Sequence, residues 1–220
     1  MFDALKSQLP GLTAASLTDA MGRMFSHRAH ILDLVSPTPG RVLFGRAATI
    51  NYVPYREDYH IAEAPNFARS FYRAVIGDFE ETVLVLNNPS HPDTSIGGGV
   101  KFSRLHNHGV AGLITDARLR DFDELANYSS VFYCRGEAAQ AGSHTLMPIS
   151  ENVPVNLRGT TIVPGDYIYA DRAAAVVIPA MHIDRVLALA REVDDQDKVF
   201  VQRIRTEDPD AVRRRGSEEA

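Results

Sequence analysis

The chain has 220 residues, 45% apolar and 23% charged, which is the make-up of a core-forming globular protein and excludes a wholly disordered, collagen-like or coiled-coil chain. Its 28 acidic side chains outnumber 23 basic ones, a formal charge of -5, so the basic excess of a nucleic-acid binder is missing; the cluster Arg213-Arg214-Arg215 is followed by Glu218 and Glu219. No run of about 18 uncharged apolar residues suggests a membrane span, MFDALKSQLP does not read as a secretory signal, and the single Cys134 excludes an intramolecular disulfide and a Cys-based zinc site, which fits a reducing cytoplasm.

In chain order, TAASLTDAMGRMF predicts a first helix, capped by Thr13 or by Ser16 with Asp19 three residues on. Residues 40–52 read as extended, and 57–75 as a helix, because Ile61, Ala64, Phe67, Ala68, Phe71, Tyr72 and Val75 share one stripe. ETVLVLNN (81–88) has the continuous apolar run of a strand covered on both faces. A loop ending in Gly97-Gly98-Gly99 follows, then a helix over 100–108, a second buried strand in GVAGLITDA, a helix starting in RLRDFDELA, and a third strand in VFYCR. Strand, helix, strand, helix, strand predicts an α/β fold with a parallel core and right-handed crossovers. VPVNL, TTIV, DYIYAD and AAVVIP read as short antiparallel strands with a turn at Pro164-Gly165-Asp166, and His182 to Glu192 as a last helix. The expectation is one domain over residues 1–200 and a charged tail over 201–220, loose from about Arg203 unless a neighbouring subunit holds it.

Two features fall at the C-terminal ends of neighbouring predicted parallel strands, where ligands of open α/β sheets sit. The glycines, with Val100 opening the next helix, can aim successive N–H groups and a positive helix end at a carboxylate or phosphate; alone they read equally as a flexible loop, and they match neither a P-loop nor GxGxxG. Arg120 offers a planar fork of donors to a carboxylate or an adjacent carbonyl, Asp121 a hard oxygen ligand for magnesium, and Glu124 a means of orienting Arg120 or a metal-bound water. Alone, the pair reads as an ordinary helix N-terminus with a surface ion pair. The combination favours chemistry: an acid group on the glycine loop and its neighbouring carbonyl at Arg120 and a metal suit a 2-oxo acid. Cys134 reads as a buried small residue, Asp166 as a turn residue, and the histidines as mainly structural, with His106 and His108 on different helix faces.

Gly99, twenty residues, Arg120-Asp121, two residues and Glu124 resemble the G-x20-R-D-x2-E/D pattern of the RraA-like family. TAASLTDAMGR, GRAAT, GVAGLITDARLRD and the segment from VPVNLRG to AAVVIP carry the resemblance over most of residues 12–192. The family includes 4-hydroxy-4-methyl-2-oxoglutarate (4-carboxy-4-hydroxy-2-oxoadipate) aldolases and regulators of ribonuclease E activity. The resemblance implies a swivelling β/β/α-type sandwich and a homotrimer or a homohexamer of two trimers, with sites between subunits. It also implies Mg2+ or another divalent cation on Asp121, Arg120 binding a small 2-oxo acid and stabilising its enolate, and the Gly97, Gly98, Gly99 and Val100 backbone holding the carboxylate. The chemistry implied is retro-aldol cleavage or oxaloacetate decarboxylation. A ribonuclease-regulator-like binding protein and a relative recruited to another reaction are the alternatives. The chain departs from the family where lyases often carry Asp or Glu at the position of Gly99, which leaves Asp93, Glu192 or a neighbouring chain to supply an acid; it departs also around Asn87–Ile96 and where Ala174 replaces a glycine.

Overall fold

The computed structural model describes residues 2–88 and 90–215. Helices α1 (Phe2–Lys6) and α2 (Ala14–Met24) open the chain. Thr13 caps α2: its hydroxyl accepts from the Ser16 N–H while the Ser16 side chain answers the Thr13 N–H, so the box closes on Ser16 and not on Asp19. Strands β1 (His30–Ile31) and β2 (Leu43–Pro54) follow, then α3 (Glu57–Glu63) and α4 (Phe67–Ala74).

The single helix expected over 57–75 is therefore two. Pro65 has no N–H and disfavours helical backbone in the residue before it; Ala64 turns left-handed at φ 43°, and Asn66 caps α4 by accepting the Arg69 N–H.

The centre alternates β3 (Thr82–Leu86), β4 (Ser95–Gly97), α5 (Gly99–His108), β5 (Gly112–Thr115), β6 (Arg118–Leu119), α6 (Phe122–Leu125) and β7 (Val131–Tyr133). Strands β3, β5 and β7 lie side by side in parallel, as expected from the sequence, and β2 joins them as a fourth parallel strand beside β3. The rest comprises β8 (Leu146–Glu151), β9 (Val155–Leu157), β10 (Thr160–Ile162), β11 (Tyr167–Ala170), β12 (Ala175–Ile178), α7 (Ile183–Arg205) and α8 (Pro209–Arg215). Strands β11, β12 and β1 extend the sheet antiparallel from β2, β8 pairs with β2 further along, and β9–β10 form a separate antiparallel hairpin.

Alternation along each strand sorts the core. Leu84 and Leu86 face the cluster of Phe71, Phe102 and Phe132 under α4 and α5. Val83 and Val85 face the opposite cluster, closed by Leu157 and Ile162 of the hairpin. On the antiparallel half, Tyr167, Tyr169, Val176 and Ile178 pack under α1, α2 and α7. The result is an α/β sandwich with helices on one face of a mixed sheet and a β-hairpin on the other.

Helix α7 runs well past Glu192 and past the expected domain limit at residue 200, because 193–205 contain neither Gly nor Pro; its last turns stand exposed. Residues 209–215 form α8, and the remainder of the expected tail lies outside the described residues. Among the described residues no helix is long and apolar enough to cross a membrane.

Candidate active site at the β4–β6 pair

The stretch read as the start of a second helix instead begins with β6, which pairs in parallel with β4 (Ser95 opposite Arg118, Gly97 opposite Leu119). The Arg120 N–H continues the ladder by donating to the Gly97 carbonyl at 2.9 Å. Asp121 then turns left-handed (φ 60°, ψ 47°), a conformation Asp tolerates better than most residues, and this delays α6 to Phe122. Glycine loop and Arg-Asp pair are thus joined by backbone hydrogen bonds.

The contacts explain the glycines. A Cβ on Gly98 would lie 2.4 Å from Asp121 Oδ2, and one on Gly99 would lie 1.9 Å from Glu124 Oε2. A Cβ on Gly97 would meet Lys101 Cδ and the Phe102 ring at 2.7 Å. The Gly99 N–H donates to Asp121 Oδ2 at 3.1 Å, so the first amide of α5 already serves the chain's own carboxylate. Arg120 Nη2 stands 3.9 Å from that oxygen, both side chains partly open to solvent.

A cavity of about 520 Å³ lies over this platform, a size suited to a small molecule. Of the expected residues, Gly97, Gly98, Val100, Arg120 and Asp121 line it. Gly99 and Glu124 do not. Glu124 sits behind the loop, where its Oε1 lies 2.7 Å from the Tyr128 hydroxyl, and that same hydroxyl is 3.0 Å from the Gly99 carbonyl, which can accept its hydrogen. Burial, reinforced by Glu124, pushes the Tyr128 phenol up to about 12. Asp93 and Glu192 do not line the cavity either: Asp93 lies exposed, 3.8 Å from Arg118, and Glu192 is on α7, which packs against α2.

The opposite wall holds residues the sequence did not single out. Lys101 and Arg104 of α5 line it, so with Arg120 three basic residues share the cavity with one lining carboxylate residue, Asp121. Burial, with Arg120 and Arg104 nearby, brings the Lys101 ammonium down to about 8. The Tyr52 hydroxyl and His60 Nδ1 are buried without a hydrogen-bond partner among the described residues, and both side chains line the cavity. Tyr52 is hidden in sequence as one more aromatic of a core strand, and His60 as one position of a helix.

The other candidates separate. His106 stacks on Tyr128 and meets Ser129, whereas His108 packs on Phe79 and meets the Tyr72 hydroxyl, so the two do not form a joint site. Cys134 is fully buried, and burial pushes its thiol up to about 11, which makes it inert. Asp166 accepts the Val163 N–H in its turn.

The chain as a whole is similar to known proteins. Over 185 residues the chain is 24% identical to Protein DlpA of Legionella pneumophila, a match covering 83% of this chain but only 29% of that protein. Over 100 residues it is 32% identical to a Burkholderia mallei protein named "Putative 4-hydroxy-4-methyl-2-oxoglutarate aldolase", covering 43% of this chain and 57% of the relative. The crystal structure of Streptomyces coelicolor RraAS2, "an unusual member of the RNase ES inhibitor RraA protein family", superposes with a TM-score of 0.76 at 22% identity, covering 89% of this chain and 94% of that one, and so shares the fold. Residues 14–177, which hold the parallel core, the β4–β6 platform and the antiparallel strands, match the RraA-like description "Aldolase/RraA", and the chain belongs to that family.

Proposed function

We propose that the protein is a divalent-metal-dependent lyase that cleaves a C–C bond of a small 2-oxo acid, by retro-aldol cleavage of a 4-hydroxy-2-oxo acid or by decarboxylation of oxaloacetate. The observation that carries this reading is the convergence of the α5 N-terminus, Arg120 and Asp121 on one small, cation-rich cavity. The likeness to the Burkholderia protein supports the aldolase class.

The donor set fits a hard cation. Asp121 presents a carboxylate to the cavity, and no group of three or more His, Cys, Asp or Glu side chains assembles among the described residues. Magnesium takes only one or two protein carboxylates and keeps several waters. Held by Asp121, such an ion supplies Lewis-acid stabilisation of charge on the 2-oxo oxygen. The chain's own part is electrostatic. The positive end of α5 orients the substrate carboxylate through N–H groups beyond that of Gly99, and the Arg120 guanidinium stabilises the oxyanion that grows as the C–C bond breaks. Glu124 and Tyr128 hold the glycine loop from behind. The reading includes a homotrimer or pair of trimers whose neighbouring subunit completes the cavity.

The test is pyruvate release from oxaloacetate and from 4-hydroxy-4-methyl-2-oxoglutarate, with magnesium and with EDTA. Metal-dependent turnover that falls about 10²–10³-fold in Arg120→Ala supports the reading. Absence of turnover, insensitivity to EDTA, or an undiminished Arg120→Ala rejects it. The second reading, a binding protein acting on a ribonuclease, draws on the RraAS2 fold and on Gly99 carrying no acid; ribonuclease inhibition by a protein inactive on both acids favours it.

A further inference from the structure

Retro-aldol cleavage needs a group to take the proton from the hydroxyl on the carbon that leaves, and the platform does not supply one. Gly99 has no side chain, Glu124 is turned away toward Tyr128, and Asp121 is committed to the Gly99 amide and to the proposed metal. Lys101 lines the cavity instead, its amine held beside the Ile96 carbonyl and the Phe67 ring, two other residues of the lining.

Its placement is specific. Lys101 lies in the first turn of α5, and its stem crosses Gly97, where a Cβ would meet Cδ at 2.7 Å. The absence of a side chain at residue 97 thus opens the channel that the lysine occupies. Nζ donates to the Ile96 carbonyl and stands 5.2 Å over the Phe67 ring. Arg104 on the same helix, Arg120 and Asp121 beyond β6, His60 on α3, and the phenols of Tyr52 on β2 and Tyr55 just after it are the ionisable side chains whose residues share the cavity with it. The two guanidiniums and the apolar surroundings act in one direction: both disfavour the ammonium form, and a lysine so placed can work as a base near neutral pH.

Resting on the lyase reading above, we propose that Lys101 is the catalytic base of the aldol cleavage, taking the proton of the 4-hydroxyl of a 4-hydroxy-2-oxo acid. As that O–H bond breaks, its electron pair forms the new carbonyl at C4. The C3–C4 pair becomes the C2–C3 double bond, and the C2 carbonyl pair moves onto oxygen, opposite Arg120. The ammonium of Lys101 then returns the same proton to C3, giving the methyl group of pyruvate and the neutral amine. No other reactant is needed.

The two reactions of the site separate this role from a structural one. Decarboxylation of oxaloacetate breaks a bond to a carboxylate, has no hydroxyl proton to remove, and leaves an enolate that takes its proton from water. Lys101→Met is expected to lose about 10²–10⁴-fold in kcat for 4-hydroxy-4-methyl-2-oxoglutarate and far less, under about tenfold, in oxaloacetate decarboxylation. Lys101→Arg, which keeps the charge, is expected to fail at aldol cleavage as Lys101→Met does. Added methylamine is expected to restore part of that activity to Lys101→Ala. In the wild type, aldol cleavage should rise with pH through the titration of Lys101, and decarboxylation should lack that limb. An active Lys101→Met on the hydroxy acid, an equal loss of both reactions, or no rescue by methylamine overturns the assignment while leaving the lyase reading intact. Wild-type protein inert toward both acids removes both.

Discussion

Strands β3 and β5 of the main sheet are each followed by a strand of the small β4–β6 pair, and the two regions are built on different terms. In β3 all five residues are buried, and alternate side chains feed two apolar clusters. Such a strand is held by surface removed from water, roughly 1.5–3 kcal/mol for each large side chain. In the β4–β6 pair little is apolar beyond Ile96 and Leu119. Position is set by the Arg120–Gly97 backbone bond, by the Asp121 carboxylate on the Gly99 amide, and by three glycines that leave room for the side chains of Lys101, Phe102, Arg120, Asp121 and Glu124. A left-handed Asp at a candidate metal ligand is the kind of local cost that a rigid scaffold sustains. The core tolerates exchange of one apolar residue for another of like volume, whereas the small pair tolerates very little at Gly97 to Gly99 and Arg120-Asp121.

The comparison can be broken at the core end first. Phe132 is fully buried in β7 near Phe102, so Phe132→Ala is expected to cost about 3–5 kcal/mol, read as a lowered urea midpoint. A loss under about 1 kcal/mol would show that the parallel core is not the stabilising unit.

At the site end, Gly99→Ala forces the Glu124 carboxylate off Tyr128 and should cost about 1–3 kcal/mol. The double variant Gly99→Ala/Glu124→Ala removes the clash and is expected to recover most of that loss. Thermal unfolding of the set decides it, and additive losses would mean that Glu124 does not occupy the space beside residue 99.

Asp116, in the turn between β5 and β6, sharpens the boundary. Burial raises its carboxyl to about 6, against the pull of the Asn88 and Arg158 amides and the Arg158 charge. A carboxyl that binds its proton more tightly in the folded chain stabilises the fold below its unfolded value of about 4, and that contribution is lost as pH rises through 6. Asp116→Asn, which retains an acceptor for the Asn88 N–H, is therefore expected to be about 1–2 kcal/mol more stable than wild type at pH 7 and equal to it near pH 3.5. Denaturation curves at the two pH values test the sign; a destabilised variant at pH 7 would show instead that the ionised carboxylate holds the turn.

Local rules were enough for much of this. The Thr13 cap and three strands of the parallel core follow from residue order, since a cap needs one side chain and a buried strand needs an unbroken apolar run; that β2 joins them as a fourth did not. The short strands and turn of the last third were legible for the same reason. The break at Ala64-Pro65 was also present in the sequence, but the apolar stripe over 57–75 outweighed the proline, and the stripe was wrong. The β4–β6 pair left no pattern, because two strands of three and two residues are too short to show a period, and a pairing between residues 95–97 and 118–119 is a long-range event.

The amino-acid order by itself determined the α/β class and the family, and it nominated Gly97, Gly98, Gly99, Val100, Arg120, Asp121 and Glu124 as residues that meet at one end of the sheet. Only the tertiary structure decided which of them face the cavity, that Glu124 stands behind the loop, and that Lys101, Arg104, Tyr52 and His60 complete the wall. The physical reason is that composition and spacing report what a segment can become, whereas the direction of a side chain and the water around it depend on neighbours far away in the chain.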